Sequence, residues 1–389
     1  MQNTAIRTYL HIIMSCMLLH TAACFHMSGQ TLDIRYPWLS QDFKVPSLHK
    51  EDTLTLCFMG DVMMHSKQIE NTSRKGADYD FSSFFSLIED ELKRADIAVA
   101  NMEFTLAGEP YSGYPCFSAP DGFETYLTDC GFDLFLTANN HIFDKGAKGA
   151  ERTLEKYRNL QSLNRLWFTG LAGSENEKAE TTPLLIRLKG IELAFINFTY
   201  GTNMHSGAKW PKANYMSDKE TLSRAIAAAG KADYIFALPH WGTEYVLKHS
   251  QTQEDMARWL VGAGVDAVIG AHPHVIQDYQ EISDVPVVYS LGNAVSNMSA
   301  ANTQLELMTT VRIVRHSEGH LEMLPLSFKY LWCSLPGGYN DSYTVIPVKE
   351  YLDKKEKWTG KWDYDKMVLT YRRVMAATGI PEGGMTNVK

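Results

Sequence analysis

Short apolar runs separated by helical segments limit this chain's fold most, because run after run ends in a polar cluster. Residues 54–59 (LTLCFM) lead to Gly60-Asp61, 96–100 (DIAVA) to Asn101-Met102-Glu103, and 132–138 (FDLFLTA) to Asn139-Asn140-His141. Residues 234–238 (YIFAL) end in Pro239-His240-Trp241, 266–270 lead to His272 and His274, and 285–291 to Gly292-Asn293. Runs of this length, bounded by turn residues, read as buried strands, and their alternation with helical segments predicts an α/β layered sheet. Ligands of open α/β sheets sit at the carboxyl ends of the strands. Strand after strand therefore aims polar residues at one place. Any one of them is an ordinary turn residue. The set, with two carboxylates and several histidines, points to a site.

The intervening segments supply the helices. Phe81, Phe84, Phe85, Ile88 and Leu92 recur at helical spacing behind a cap at Asp80. Further helices are expected from Pro120, over 149–160, from Ser217 to Ala229 with Ser217 and Glu220 as a capping box, over 253–263, and over 364–376. Runs 183–188 and 191–198 flank Lys189-Gly190 as a hairpin, and 305–314 and 321–330 read as paired strands.

His272-Pro273-His274 is the densest group of metal-type donors. In an extended segment, side chains two apart project to the same side, and Pro273 stiffens the turn between them. Neutral imidazoles held side by side suit zinc, manganese or iron, although a solvated loop with two histidines reads the same way until partners are found.

The composition is ordinarily globular, and a net charge of −8 gives no sign of a nucleic-acid footprint. Arg7, an apolar stretch over 9–23 and the small residues Thr21-Ala22-Ala23 predict a signal peptide over 1–23, with 24–50 as a tether. Cys24 leaves lipidation open, against Thr21 in the place where a lipobox carries an aliphatic residue. Cys57 reads as a small core residue, and Cys116 and Cys130 as a pair that spacing alone does not bridge.

Gly60-Asp61-Val62-Met63, Asn101-Met102-Glu103, Ala138-Asn139-Asn140-His141 with Asp144 and Gly146, His240 through Tyr245, Ala271 through His274 and Tyr289 through Asn293 occur in that order. Together, over roughly 54–298, they resemble the CapA, or poly-γ-glutamate capsule synthesis, family, which is similar in fold to calcineurin-like metallophosphoesterases. The resemblance implies a four-layer αββα sandwich over 51–300, which 301–389 completes. It implies that Asp61, Glu103, Asn140, His240, His272 and His274 hold one or two divalent ions such as Mn, Fe or Zn. His141 would contact an oxyanion or protonate a leaving group. Asn101, Glu244 and Asn293 would touch substrate or support ligands, with Glu244 in place to orient His240. Two departures stand out. Met63 replaces the histidine of Asp-x-His, leaving His65 as a substitute ligand or a helix start, and Asn101-Met102-Glu103 replaces the bridging Gly-Asp.

The implied protein is exported to the cell envelope and acts with membrane-bound partners in synthesis, export or processing of an anionic polymer such as poly-γ-glutamate. The alternative is a non-catalytic assembly or export subunit that keeps the fold and a structural metal. Met63 favours the second reading and the Asn140-His141 pair the first.

Overall fold

The computed structural model describes residues 52–74 and 78–384, so the expected leader, Cys24 and the tether lie outside the described residues. Strand β1 (Asp52–Val62) stands mid-sheet, with β2 (Ile97–Met102), β3 (Leu134–Leu136) and β4 (Trp167–Thr169) parallel to it in that order. Between them come α1 (Ser66–Thr72), α2 (Glu89–Leu92), α3 (Phe123–Asp129) and α4 (Gly146–Ser162). After β5 (Leu171–Ala172) and α5 (Glu175–Thr181) the chain enters a second sheet through the hairpin β6 (Leu184–Leu188) and β7 (Ile191–Thr199). Lys189 and Gly190 both have positive φ, the backbone a two-residue hairpin turn requires.

β8 (Lys212–Ala213) pairs with β5, and the second sheet then gains β9 (Tyr234–His240), β10 (Ala267–Ile269), β11 (Tyr279–Ile282) and β12 (Val285–Val288). Its order is β11-β12-β10-β9-β7-β6, with α6 (Lys219–Ala228) and α7 (Gln251–Gly262) between parallel strands. The chain finally returns to the first sheet. β13 (Leu305–Arg315) pairs antiparallel with β1 on the side away from β2, followed by β14 (Leu321–Met323), β15 (Ser327–Ser334) and β16 (Thr344–Pro347), then α8 (Val348–Tyr351) and α9 (Lys361–Thr378).

Strand period places the layers. On β1, Cys57 and Met59 join a core with Leu127, Leu154 and Tyr157 from α3 and α4. On β9, Ile235 and Ala237 join another with Leu222 and Ile226 of α6 and Leu260 of α7. The alternate residues face the other way: Phe58 of β1 and Phe236 of β9 meet with ring centroids 5.7 Å apart. Helices thus cover the outer faces while the sheets pack on each other, which gives the four-layer αββα sandwich. Burying Leu154 and Leu160 along one face of α4 contributes roughly 1.5–3 kcal/mol each.

Some local expectations are corrected. The helix expected behind Asp80 is mostly a chain of turns, closed by bonds from Phe84 N–H to Phe81 O and Ile88 N–H to Phe85 O, with α-helix only at α2. Its aromatic residues bury themselves without helical backbone. Helix α6 is capped by Asp218, which accepts from Thr221 N–H, and not by Ser217. The 321–330 run divides into β14 and β15, both paired with β13.

Candidate metal centre

Asp61 is aimed by a bulge. β1 and β2 run in register to Met59↔Ala100, then shift at Gly60 so that Asp61 stands opposite Asn101. A Cβ at Gly60 would lie 1.9 Å from the Gly292 carbonyl oxygen, so only glycine fits. Gly60 N–H donates to Glu306 Oε1 at 2.8 Å, and Asp61 N–H to Gly292 O at 2.9 Å. The Asp61 carboxylate accepts from Asn101 Nδ2 at 2.7 Å and from His272 N–H at 3.2 Å.

Glu103, one residue past β2, sits at the centre. It is fully buried, and neither carboxylate oxygen has a hydrogen-bond partner. The Nε2 atoms of His141, His240 and His274 each lie 3.8 Å from its Oε1. Burial pushes its carboxyl well above the usual range, and Asp61, Glu244 and Asp144 add to the push. An uncompensated buried carboxylate costs several kcal/mol or more, so it requires either a proton or a cation.

The second sheet supplies imidazoles. His240 ends β9, and its Nε2 is 2.8 Å from Asn140 Oδ1. Burial, then the neighbouring His272, His274 and His141, hold it well below the ordinary imidazole value. Burial and His274 likewise pull His272 down to about 3 against Asp61. Burial lowers His274 as well, but the hydrogen bond and charge of Asp61, then Asn293 and Glu244, outweigh it and leave His274 raised. The extended His-Pro-His expected here is not what forms. His272 and His274 have φ of 101° and 57°, so two left-handed residues converge the rings, whose centroids are 5.9 Å apart. A site at this turn explains why such backbone, costing about 1–3 kcal/mol per residue, is held.

Three overlapping groups can hold a cation: Glu103 with His240 and His272, Asp61 with Glu103 and His274, and Glu244 with His272 and His274. Within each, the donor atoms lie within 4.8 Å of one another. The orphaned Glu103 oxygens and the unpartnered Nδ1 of His272 fit such an ion, and mixed imidazole and carboxylate donors suit manganese, iron or zinc.

His141 stands at the edge of this cluster. Its Nδ1 is 2.7 Å from Asp144 Oδ2, and its ring meets Phe117 edge-on at 4.7 Å, so Nε2 faces Glu103. Asn203 Nδ2 lies 3.5 Å from that nitrogen. Tyr200, 42% exposed, packs on His272 with centroids 4.6 Å apart, and Tyr245, 46% exposed and also at positive φ, lies 6.2 Å from His274. These two tyrosines rim the mouth.

Asp61, Asn101, Glu103, Asn140, His141, His240, His272, His274 and Asn293 thus converge. Asn293 acts on a ligand: its Oδ1 is 2.9 Å from His274 Nδ1 while its Nδ2 donates to Thr303 O. Glu244 stands with His272 and His274, and His240 Nδ1 is met instead by Asn101 Nδ2 at 3.2 Å. His65 begins α1 with its backbone N–H bonded to Gln68, outside all three cation groups, and burial drops it to about 4. Met63 is buried in the core, Trp241 packs beneath the site, and His249 is half-buried against Tyr289. Cys116 and Cys130 are free.

Three contributors went unassigned in the sequence. Asp144 holds His141; its three-residue spacing was the available signal. Glu306, in the C-terminal strands, holds the Gly60 bulge. Asn197 of β7 accepts from Thr137 and Ala138 N–H and donates to Leu238 O, tying the two sheets together beneath Asn140.

Comparison with known proteins matches the sequence to one family. The family described as bacterial capsule synthesis protein PGA_cap matches residues 55–298, more than half of the chain. The capsule biosynthesis protein CapA of Bacillus anthracis is 29% identical over 299 residues, 73% of this chain and 70% of that one. The PGA biosynthesis protein CapA of Bacillus subtilis (strain 168) is 27% identical over 288 residues, 72% of each chain. The solved NAD nucleotidase NadN of Haemophilus influenzae aligns at TM-score 0.40 and 13% identity over 84% of this chain and 68% of that one, a likeness too distant to bear on substrate or mechanism. With more than half of the chain and every strand-end cluster inside the matched segment, this protein belongs to the bacterial capsule synthesis protein PGA_cap family.

Proposed function

We propose that this protein is an exported, metal-dependent hydrolase-like member of the capsule synthesis apparatus, acting on an anionic polymer such as poly-γ-glutamate. One observation carries the reading: the buried, unpartnered Glu103 carboxylate faces three imidazole Nε2 atoms at 3.8 Å, one of them from the Asp144-held His141. Asp61, Glu103, Asn140, His240, His272 and His274 would hold one or two divalent ions. Such ions supply Lewis-acid stabilisation of negative charge developing at the bond under attack.

The chain's own residues do the rest. Asp144 fixes the His141 ring through Nδ1, leaving Nε2 to carry a proton to or from the reacting group. Asn203 contacts the same nitrogen and can hold a substrate oxygen beside it. Tyr200 and Tyr245 cover the imidazoles and narrow the approach. The leader-like segment over 1–23 supports export to the cell envelope, where membrane-bound synthesis partners would act with it, and Cys24 leaves a lipid anchor open against Thr21. Among the described residues no helix is long and apolar enough to cross a membrane.

A second reading, a non-catalytic assembly or export subunit with a structural metal, is favoured by the loss of one ligand position: Met63 is buried in the core and His65 starts a helix. Metal analysis of purified protein, beside turnover of phosphodiester and γ-glutamyl test substrates, decides between them. Wild type should retain divalent metal and turn over one class, and Glu103→Gln should lose both. Equal metal content in wild type and Glu103→Gln would remove the centre from the proposal. Bound metal without turnover of either class would favour the assembly subunit.

A further inference from the structure

A cavity of about 320 Å³ lies between the 107–110 loop and the start of α4. That volume is at the small end of the roughly 300–1,000 Å³ range of ligand pockets. Its walls carry Lys145, Lys148 and Arg152 against a single acidic side chain, Glu109. In a chain of net charge −8, such a concentration of cations is unusual. Arg152 is fixed in place: its guanidinium makes a two-pronged pair with Asp121 at 2.9 and 2.6 Å and donates to Leu106 O at 2.6 Å. Lys145 and Lys148, by contrast, have no ion pair among the described residues, so their charges are free to meet an anion.

The pocket is joined to the centre through the chain itself. Lys145 directly follows Asp144, the residue that holds His141, and Ala107 lies four residues past Glu103. Four residues span at most about 14 Å, so both walls begin within that reach of the reactive groups. Leu106 N–H donates to Thr153 Oγ1 of α4 at 2.8 Å, which locks the loop to the helix and keeps the two walls in fixed relation.

We infer that this cavity is a subsite for a carboxylate-bearing repeat unit of the polymer, seated by Lys145 and Lys148 a short distance along the chain from the bond at His141. The inference rests on the polymer reading above and adds where an anionic chain is gripped. Lys145 and Lys148 add positive charge next to the approach to the centre, which attracts a polyanion. Glu109 at the same wall opposes an anionic unit, but its single charge is outnumbered by Lys145 and Lys148, so the lysines set the preference.

The test is direct binding of a γ-linked glutamate hexamer to the full, metal-loaded protein by titration calorimetry at low and high salt. It compares wild type, Lys145→Gln/Lys148→Gln, and Lys231→Gln as a control on an exposed lysine elsewhere. Both pocket lysines lie at the surface or half-buried, and circular dichroism with metal content checks that the double variant is intact. The double variant should bind about five- to thirtyfold more weakly with a reduced salt dependence, and the control should match wild type. Equal affinity in wild type and the double variant overturns the subsite while leaving the polymer reading standing. Failure of wild type itself to bind the hexamer overturns the polymer reading, and the subsite with it.

Discussion

The two sheets bring opposite chemistry to the centre by opposite means. The first sheet delivers Asp61, Asn101 and Glu103 from regular strands or one residue beyond them, with a bulge at Gly60. The second delivers His240 from a strand end, but His272 and His274, with Tyr245 beside them, from left-handed backbone. Their electrostatics are mirror images. Burial pushes the Glu103 carboxyl up and pulls the His240 and His272 imidazoles down, so these three groups disfavour their own charge, while Asp61 leaves His274 raised. A divalent ion between them would satisfy the carboxylate and the neutral imidazoles together. Left-handed backbone is concentrated at His272 and His274, whereas His240 and Glu103 come from the ends of regular strands.

His141 tests that division most severely, because it is an imidazole from the first sheet and stands outside all three cation-holding groups. His141→Ala should keep metal and fold but reduce turnover by about 10²- to 10⁴-fold, the usual range for general acid–base catalysis. Metal content and steady-state rates on the same preparation provide the check. Loss of metal along with activity would place His141 among the ligands and erase the distinction between the two halves.

Much of this was legible in the chain. Apolar runs ending in Asp61, Glu103, His240 and His272 marked both the layering and the place where strand ends meet, because strand period and helix period leave different traces. Less legible was whatever depends on partners distant in sequence. Asn197 reads as a polar interruption in an apolar strand until the fold sets its amide against residues 137–138. Glu306 lies 246 residues from the Gly60 it supports. The turns over 80–88 misled for the opposite reason: Phe81, Phe84, Phe85 and Ile88, four residues at helical spacing, bury equally well on irregular backbone when the neighbouring aromatic cluster accepts them.

The imidazole half can be probed one step away from its ligands. Asn293 meets His274 Nδ1 at 2.9 Å and is anchored in turn on Thr303 O, so it sets the ring's tautomer and direction. Asn293→Ala should weaken metal binding by about ten- to a hundredfold, and His274→Ala by at least as much, in competition against a chelating dye. The double variant should be little worse than His274→Ala alone, since both act through one ring. Unchanged affinity in Asn293→Ala would mean that the left-handed backbone, and not the amide, orients His274.

The smallest effect on the centre is expected from beneath the first sheet. Burial raises Glu306 to about 8, against an acceptor bond from Gly60 N–H that lowers it, with Asp61 adding a further push upward. Below the ordinary carboxyl value both folded and unfolded chains hold this proton. Between there and about 8 the folded protein keeps a proton that the unfolded chain has released. By linkage, stability must fall as pH rises through that window, by no more than about 1.4 kcal/mol per pH unit, and become level above it. Glu306→Gln preserves an oxygen acceptor for Gly60 and removes the titration. Its urea midpoint should therefore fall less steeply than wild type's between pH 5 and 8, as about one proton's linkage predicts, with metal affinity nearly unchanged. Parallel pH profiles would show that Glu306 is ionised throughout. The Gly60 bulge would then rest on a charged carboxylate, and the first sheet would bear strain of its own beside Asp61.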